Sequence, residues 1–250
     1  MEKNHLSIRH IRKICYPKTV LDQDPWYAKL LFRKFGIYLI PIFIKLNISA
    51  NQVSIIGFMI TILGSIFLIF GEPTYWLIAS LLFYLYLLLD HVDGGLARYY
   101  KTSSAKGHYI DGLLDFSGQI IIIASMFIGL YNKAQEVTIL FIGFFALICT
   151  AIYFITKMYK SRVIELNNLL PVRKNKMMDK NEKSVFNYFA IPFTHLFWIL
   201  NIIILTSVLD MLFETGVLFR FIYLIFYTIA TFFGVLIMFR QSINELKSLK

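Results

Sequence analysis

The chain is predicted to be an all-α, polytopic membrane protein with six transmembrane helices and an N-terminal amphipathic interfacial helix. Three observations predict it. Of 250 residues, 58% are hydrophobic and 17% aromatic, and they fall in runs of about 20 or more, each long enough to span a bilayer. The net charge of +10 is gathered into a few polar segments, as orientation signals are. Finally, residues 90–115, DHVDGGLARYYKTSSAKGHYIDGLLD, place four carboxylates between two of the apolar runs.

Other classes fit less well. A basic chain could bind nucleic acid, but no recognisable module accompanies the charge, so none is expected as a partner. Cys15 and Cys149 stand in dissimilar contexts, one polar and one mid-span. They support neither a disulfide framework nor a zinc site. The first 25 residues are polar and basic, so no cleavable signal peptide is expected.

Taken in order, residues 1–50 form a cytoplasmic lead-in, 51–240 the six-helix domain and 241–250 a cytoplasmic tail. Residues 1–27 are charged. From 28 to 45, AKLLFRKFGIYLIPIFIK, apolar residues alternate with Lys29, Arg33, Lys34 and Lys45, and Pro41 breaks the run. That pattern reads as a helix lying on an anionic membrane surface, and equally as a helix packed on the bundle. Asn51 is read as the N-cap of the first span. Spans follow near 51–70, 75–98, 107–131, 136–157, 185–208 and 213–239. The first 50 residues, the turn at 98–106, the loop at 157–183 and the tail all carry Lys or Arg, whereas the opposite turns contain only Lys133. Both termini and the acidic cluster are therefore expected on the cytoplasmic side of the cell membrane.

Within the acidic stretch, Asp90 and Asp93 are three apart, and Asp111 and Asp115 four apart, so each pair projects from one helical face. Two antiparallel helices joined by a turn at 99–106 would set Asp90 level with Asp115 and Asp93 level with Asp111. Both pairs would lie roughly 12 Å inside the helix ends at about 1.5 Å per residue. Four acids converging at low dielectric repel unless cations sit between them, and hard divalent ions are the natural partners of carboxylate oxygens. Small residues share the stripes: Gly94 and Ala97 above Asp90, and Gly107 above Asp111. They either keep a cleft open or let helices pack closely, and both readings stand. Arg98, about two turns above Asp90, suits a phosphate, which a guanidinium meets bidentately, or serves as a positive-inside anchor. Metal, arginine and base together describe phosphoryl transfer.

The pattern Asp90-x2-Asp93-Gly94-x2-Ala97-Arg98-x8-Gly107-x3-Asp111-x3-Asp115 resembles the full signature of the CDP-alcohol phosphotransferase (CDP-alcohol phosphatidyltransferase) family. Ser49-Ala50-Asn51-Gln52-Val53-Ser54 is similar to the Thr-Pro-Asn-x-x-Thr at the start of that family's first span, with Ala50 departing from the usual proline. The resemblance implies a six-span fold and transfer of a substituted phosphate (phosphatidyl) group from CDP-diacylglycerol or another CDP-alcohol to an alcohol, releasing CMP. It implies that Asp90, Asp93 and Asp111 bind two divalent ions, magnesium or manganese. Asp115 matches the general base, which also touches the second metal. Gly94, Ala97, Arg98 and Gly107 match positions that shape the cytidine diphosphate pocket, and members are commonly homodimers.

The motif does not name the acceptor. Lys157, Lys160 and Arg162 are expected either to clamp a phosphorylated polyol or to act as positive-inside anchors. The long lead-in is similar to that of members using inositol phosphate, which favours a polyol or polyol phosphate. Two readings of other classes compete. A membrane prenyltransferase also sets Asp-rich helices and magnesium on a diphosphate, though Gly-x-x-Ala-Arg does not suit it, and a proton-coupled transporter would use intramembrane acids without nucleotide.

Overall fold

The computed structural model describes residues 7–169 and 196–248. Among them the chain is helical without strands: α1 (Ile8–Cys15), α2 (Lys18–Gln23), a π-helical turn (Ala28–Phe32) running into α3 (Arg33–Lys45), α4 (Ala50–Ile69), α5 (Pro73–Tyr99), α6 (Ala105–Ala134), α7 (Val137–Leu169), α8 (Leu196–Leu212) and α9 (Leu218–Ser248).

Among the described residues, five helices contain stretches long and apolar enough to cross a membrane: α4, α5, Tyr109–Ala134 of α6, Val137–Thr156 of α7 and Leu218–Asn244 of α9. α4 shows why. Its outward face exposes Ile55, Met59, Leu63 and Ile66, an unbroken apolar stripe at helical spacing that suits lipid rather than water. The sixth predicted span, 185–208, is described only from Leu196. The part described, α8, is apolar but 17 residues long, short of the roughly 20 a crossing needs.

The residues form two compact units, Met1–Phe67 with Ile78–Ile122, and Leu68–Leu77 with Ile123–Lys250. In the first, the lead-in is more than a charged approach. α1 and α3 bury Ile11, Cys15, Tyr16, Ile37 and Ile40 against Val53 of α4 and Leu89, Val92 and Leu96 of α5. Arg33 is paired with Asp24 at 2.8 Å. Pro41, expected to break the run, lies inside α3; the packing of Ile37 and Ile40 holds the helix past the one backbone bond that proline removes. The outward face of this segment carries Lys29, Lys34 and Lys45 among exposed Leu30, Phe35, Tyr38 and Ile42.

The start of α4 differs from expectation. Ser49, not Asn51, caps it. The Ser49 hydroxyl accepts from the Gln52 amide at 3.4 Å, and the Gln52 side chain accepts from the Ser49 amide at 2.8 Å, a reciprocal capping box. The turn between the two acid-bearing helices is also built locally. Lys101 takes a left-handed φ of 54°, and the amides of Lys101 and Thr102 bond the carbonyls of Arg98 and Ala97. These are the paired bonds of a Schellman ending.

The second unit is centred on one buried ion pair. Arg220, fully buried at the start of α9, donates Nε to Asp210 of α8 at 2.7 Å and Nη1 to the Gly71 carbonyl at 2.7 Å, with its guanidinium 4.9 Å from the Trp76 ring centroid. Asp210 also accepts from the Phe219 amide and the Thr215 hydroxyl. Gly71 cannot be replaced cheaply. Its φ is +76°, and a Cβ there would lie 2.2 Å from the Gly129 carbonyl oxygen. Several hydroxyls within the apolar helices bond back to their own turns, as Thr150 does to Ala146 and Thr228 to Leu224, which gives these donors a partner in hydrocarbon.

Candidate functional site

The site lies wholly within the first unit. α5 runs to Tyr99, a five-residue turn follows, and α6 starts at Ala105, so the two helices return antiparallel. Spacings of three and four then turn the acids of each helix toward the other. Asp90, Asp93 and Asp111 come together, with one carboxylate oxygen from each lying within 4.8 Å of the others. Asp115 lines the same cleft, together with Ser54, Gly57, Tyr86 and Leu114.

Each acid is held. The Ser54 hydroxyl on α4 donates to Asp93 Oδ2 at 2.6 Å, and Asp93 is buried. The Tyr86 phenol donates to Asp115 Oδ1. Tyr86 stands one turn from Asp90 on α5, and its ring fits against α4 because Gly57 lacks a side chain. A Cβ at Gly57 would sit 3.2 Å from Tyr86 Cδ2.

The donor set fits a divalent cation. All three converging groups are carboxylates, the hard oxygen ligands such ions prefer. Metal–oxygen bonds of roughly 2.0–2.6 Å put the oxygens around one ion no more than about 5 Å apart, and the 4.8 Å grouping meets that limit. Without positive charge, three carboxylates this close would repel one another in a setting where water screens little. Asp115 lies in the same cleft, with one of its oxygens tied to a phenol.

The remaining predicted residues surround this centre. The Arg98 guanidinium folds back over Gly94, with Nη1 and Nη2 each 3.6 Å from where a Gly94 Cβ would be, and its Nε donates to the Cys15 carbonyl. Ala97 is half-buried on α5, and its carbonyl closes the helix end. Gly107 opens α6, its amide capped by Ser104 Oγ at 3.1 Å. A Cβ on Gly107 would come 3.7 Å from Asn51 Oδ1, so Asn51 faces the first turn of α6. The side chains of Lys157, Lys160 and Arg162 lie outside the described residues, although the helix carrying them is described.

Tyr86 and Gly57 are lining residues that sequence reasoning missed. Both had a signal: Tyr86 precedes Asp90 by four and Gly57 follows Ser54 by three, so each shares a helical face with a polar group already singled out.

The family model for CDP-alcohol phosphatidyltransferase matches residues 47–231. No curated protein matches the chain. The match spans well over half the sequence and contains the whole acidic cleft: the chain belongs to the CDP-alcohol phosphatidyltransferase family.

Proposed function

We propose that the chain transfers a phosphatidyl group from CDP-diacylglycerol, or another CDP-alcohol, to an alcohol acceptor with release of CMP, in phospholipid biosynthesis. The observation that carries this reading is the convergence of Asp90, Asp93 and Asp111 beside a separately held Asp115, all within the family-matched region. Family membership favours this chemistry over diphosphate prenyl transfer and over proton-coupled transport.

Asp90, Asp93 and Asp111 would hold two divalent ions, magnesium or manganese, with Asp115 at the edge of the second. Bound there, such ions neutralise a diphosphate and make its phosphorus easier to attack. Ser54, by donating to Asp93 Oδ2, orients that carboxylate and leaves its other oxygen for ligation. Gly94, Ala97, Arg98 and Gly107 shape the nucleotide pocket. The bare backbone at Gly94 lets a phosphate approach closely, and the guanidinium above it supplies paired donors. Asp115 takes the proton of the acceptor hydroxyl. That oxygen bonds to the phosphorus bearing the diacylglycerol, while the bond from the same phosphorus to the bridging oxygen of CMP breaks. Charge-assisted donation from Tyr86 keeps Asp115 aimed at this step.

The acceptor in this reading is a polyol or polyol phosphate, with Lys157, Lys160 and Arg162 as candidate contacts to it. The protein sits in the cell membrane as a homodimer of six-span chains, its site opening to the cytoplasm where CDP-activated lipids are made. The test is an assay of purified protein with CDP-diacylglycerol, magnesium or manganese, and a panel of alcohols. CMP release that depends on one acceptor is the expected result. Absence of CMP release with every acceptor, in protein that binds a divalent ion, would sink the reading.

A further inference from the structure

The segment ahead of the family-matched region touches the signature helix along one stripe. On α5 the acids and small residues of the site follow Asp90, Gly94 and Ala97. One position on, His91, Gly95 and Arg98 follow the same spacing and form a neighbouring stripe. Every member of that second stripe meets residues 8–45. The His91 carbonyl accepts from the Tyr16 phenol at 3.2 Å and from Arg33 Nη1 at 3.0 Å. Gly95 admits the end of α1: a Cβ there would lie 3.4 Å from Tyr16 Cε1, 3.5 Å from Cys15 Cβ and 2.7 Å from Ile40 Cδ1. Arg98 Nε donates to the carbonyl of Cys15, the last residue of α1 and so a carbonyl its own helix leaves unused.

This segment is itself braced. The Arg33 guanidinium lies over the Tyr16 ring at 4.7 Å and is tied to Asp24 through two bonds of 2.8 and 3.2 Å. Ile11 is fully buried beneath it. The Cys15 carbonyl is therefore a fixed point, and Arg98 is fastened to it by one edge only. The other edge lies over Gly94, and Arg98 Nη2 is buried with no hydrogen-bond partner among the described residues. A buried donor of a charged group left unmade is costly unless something occupies it.

We propose that residues 8–33 are a positioning clamp for donor binding: the α1 terminus holds Arg98 by Nε so that its Nη edge is presented over Gly94 to an anionic ligand, the diphosphate of the nucleotide-activated donor. The clamp rests on the reading of Arg98 as a phosphate contact. Tyr16, Arg33 and the Cys15 carbonyl act through Arg98 and touch no substrate themselves.

A double-mutant cycle in the full-length protein tests this. The donor KM is measured by CMP release from CDP-diacylglycerol for wild type, Tyr16→Ala, Ile11→Ala, Arg98→Ala and the two doubles with Arg98→Ala. Loosening the clamp by either route should raise the donor KM roughly three- to tenfold, the scale of coupling between residues in contact. In the Arg98→Ala background neither change should raise it further, and acceptor KM should stay within twofold throughout. Additive effects on donor KM, or no effect of either single change, would overturn the clamp. Ile11→Ala keeps the test open if Tyr16→Ala does not fold, because it removes packing and no hydrogen bond. Should wild type release no CMP, the reading of function falls instead. The same cycle scored by CDP-induced thermal stabilisation then decides the clamp on binding alone.

Discussion

The Tyr86 phenol donates a hydrogen bond to Asp115 Oδ1, joining the two acid-bearing helices one turn from Asp90 on the side away from their connecting turn. A carboxylate that accepts from a fixed phenol has one oxygen committed and a defined direction for the other. Asp93 is likewise tied through one oxygen, to Ser54, but it is grouped with Asp90 and Asp111. In the proposed function, Asp115 serves proton transfer and the other three acids serve charge neutralisation.

We expect Asp115→Asn to lower kcat by roughly 10²–10⁴, the usual share of a general base, and to leave donor KM nearly unchanged. Tyr86→Phe keeps the ring against Gly57 and removes only the donor, so kcat should fall about tenfold, or about 1.4 kcal/mol of barrier. Steady-state kinetics on both variants check this. Equal loss of donor binding in Asp115→Asn and Arg98→Ala would show that Asp115 serves chiefly as a metal ligand.

Asp90→Asn, Asp93→Asn and Asp111→Asn should each abolish CMP release, because each removes a full charge from a three-carboxylate group. The membrane fold should survive, since the substitution keeps side-chain shape. Metal affinity gives a readout apart from turnover. Manganese binding followed by paramagnetic resonance should weaken at least tenfold in each. If chelation leaves CMP release untouched, the metal assignment is wrong.

The convergence of the acids was legible because helical period and a short connection leave little freedom. Two pairs at spacings of three and four, on antiparallel helices, must meet if the turn is tight. How the turn is made was not legible, since it relies on Lys101 in a left-handed conformation that glycine more often adopts. Residues 8–27 read as a charged lead-in because basic and polar residues interrupt their apolar ones, yet Ile11, Cys15 and Tyr16 among them are buried. Tyr86 was hidden for the opposite reason, standing in a run of Leu, Phe and Tyr that looks uniformly lipid-facing. The partnership of Asp210 with Arg220 depends on two turns of backbone around Thr215 and Gly216, and no spacing rule points to it.

That ion pair has a measurable consequence. Arg220 and Asp210 are both essentially inaccessible, so removing one partner strands the other. Breaking a buried pair of this kind costs about 3–5 kcal/mol. Arg220→Met should lower the Tm of the detergent-solubilised protein markedly, and the double change with Asp210→Asn should recover part of the loss. The wild-type Tm in the Arg220→Met single variant would mean that the pair adds no net stability.

The last expectation concerns Cys15, which lies outside the apolar spans and reports on the packing of α1. Its side chain is fully buried, and burial pushes the thiol up to about 11, a rise only partly opposed by the nearby Arg98 charge. At pH 8 roughly one molecule in a thousand would carry the reactive thiolate, against about one in four for an ordinary cysteine. In a Cys149→Ala background, alkylation of the native protein at pH 8 should therefore be slow. It should rise about tenfold per pH unit until near pH 11. The sign for stability follows from the raised value. The neutral thiol is favoured in the folded state, so this group's contribution is complete below about pH 8 and is lost as pH rises through the ordinary cysteine range toward 11. Tyr16→Ala, which frees the end of α1, should accelerate labelling at pH 8. Rapid labelling of the otherwise unaltered protein at pH 8 would contradict the packing of α1 against α5, and an unchanged rate in Tyr16→Ala would show that Tyr16 does not hold it there.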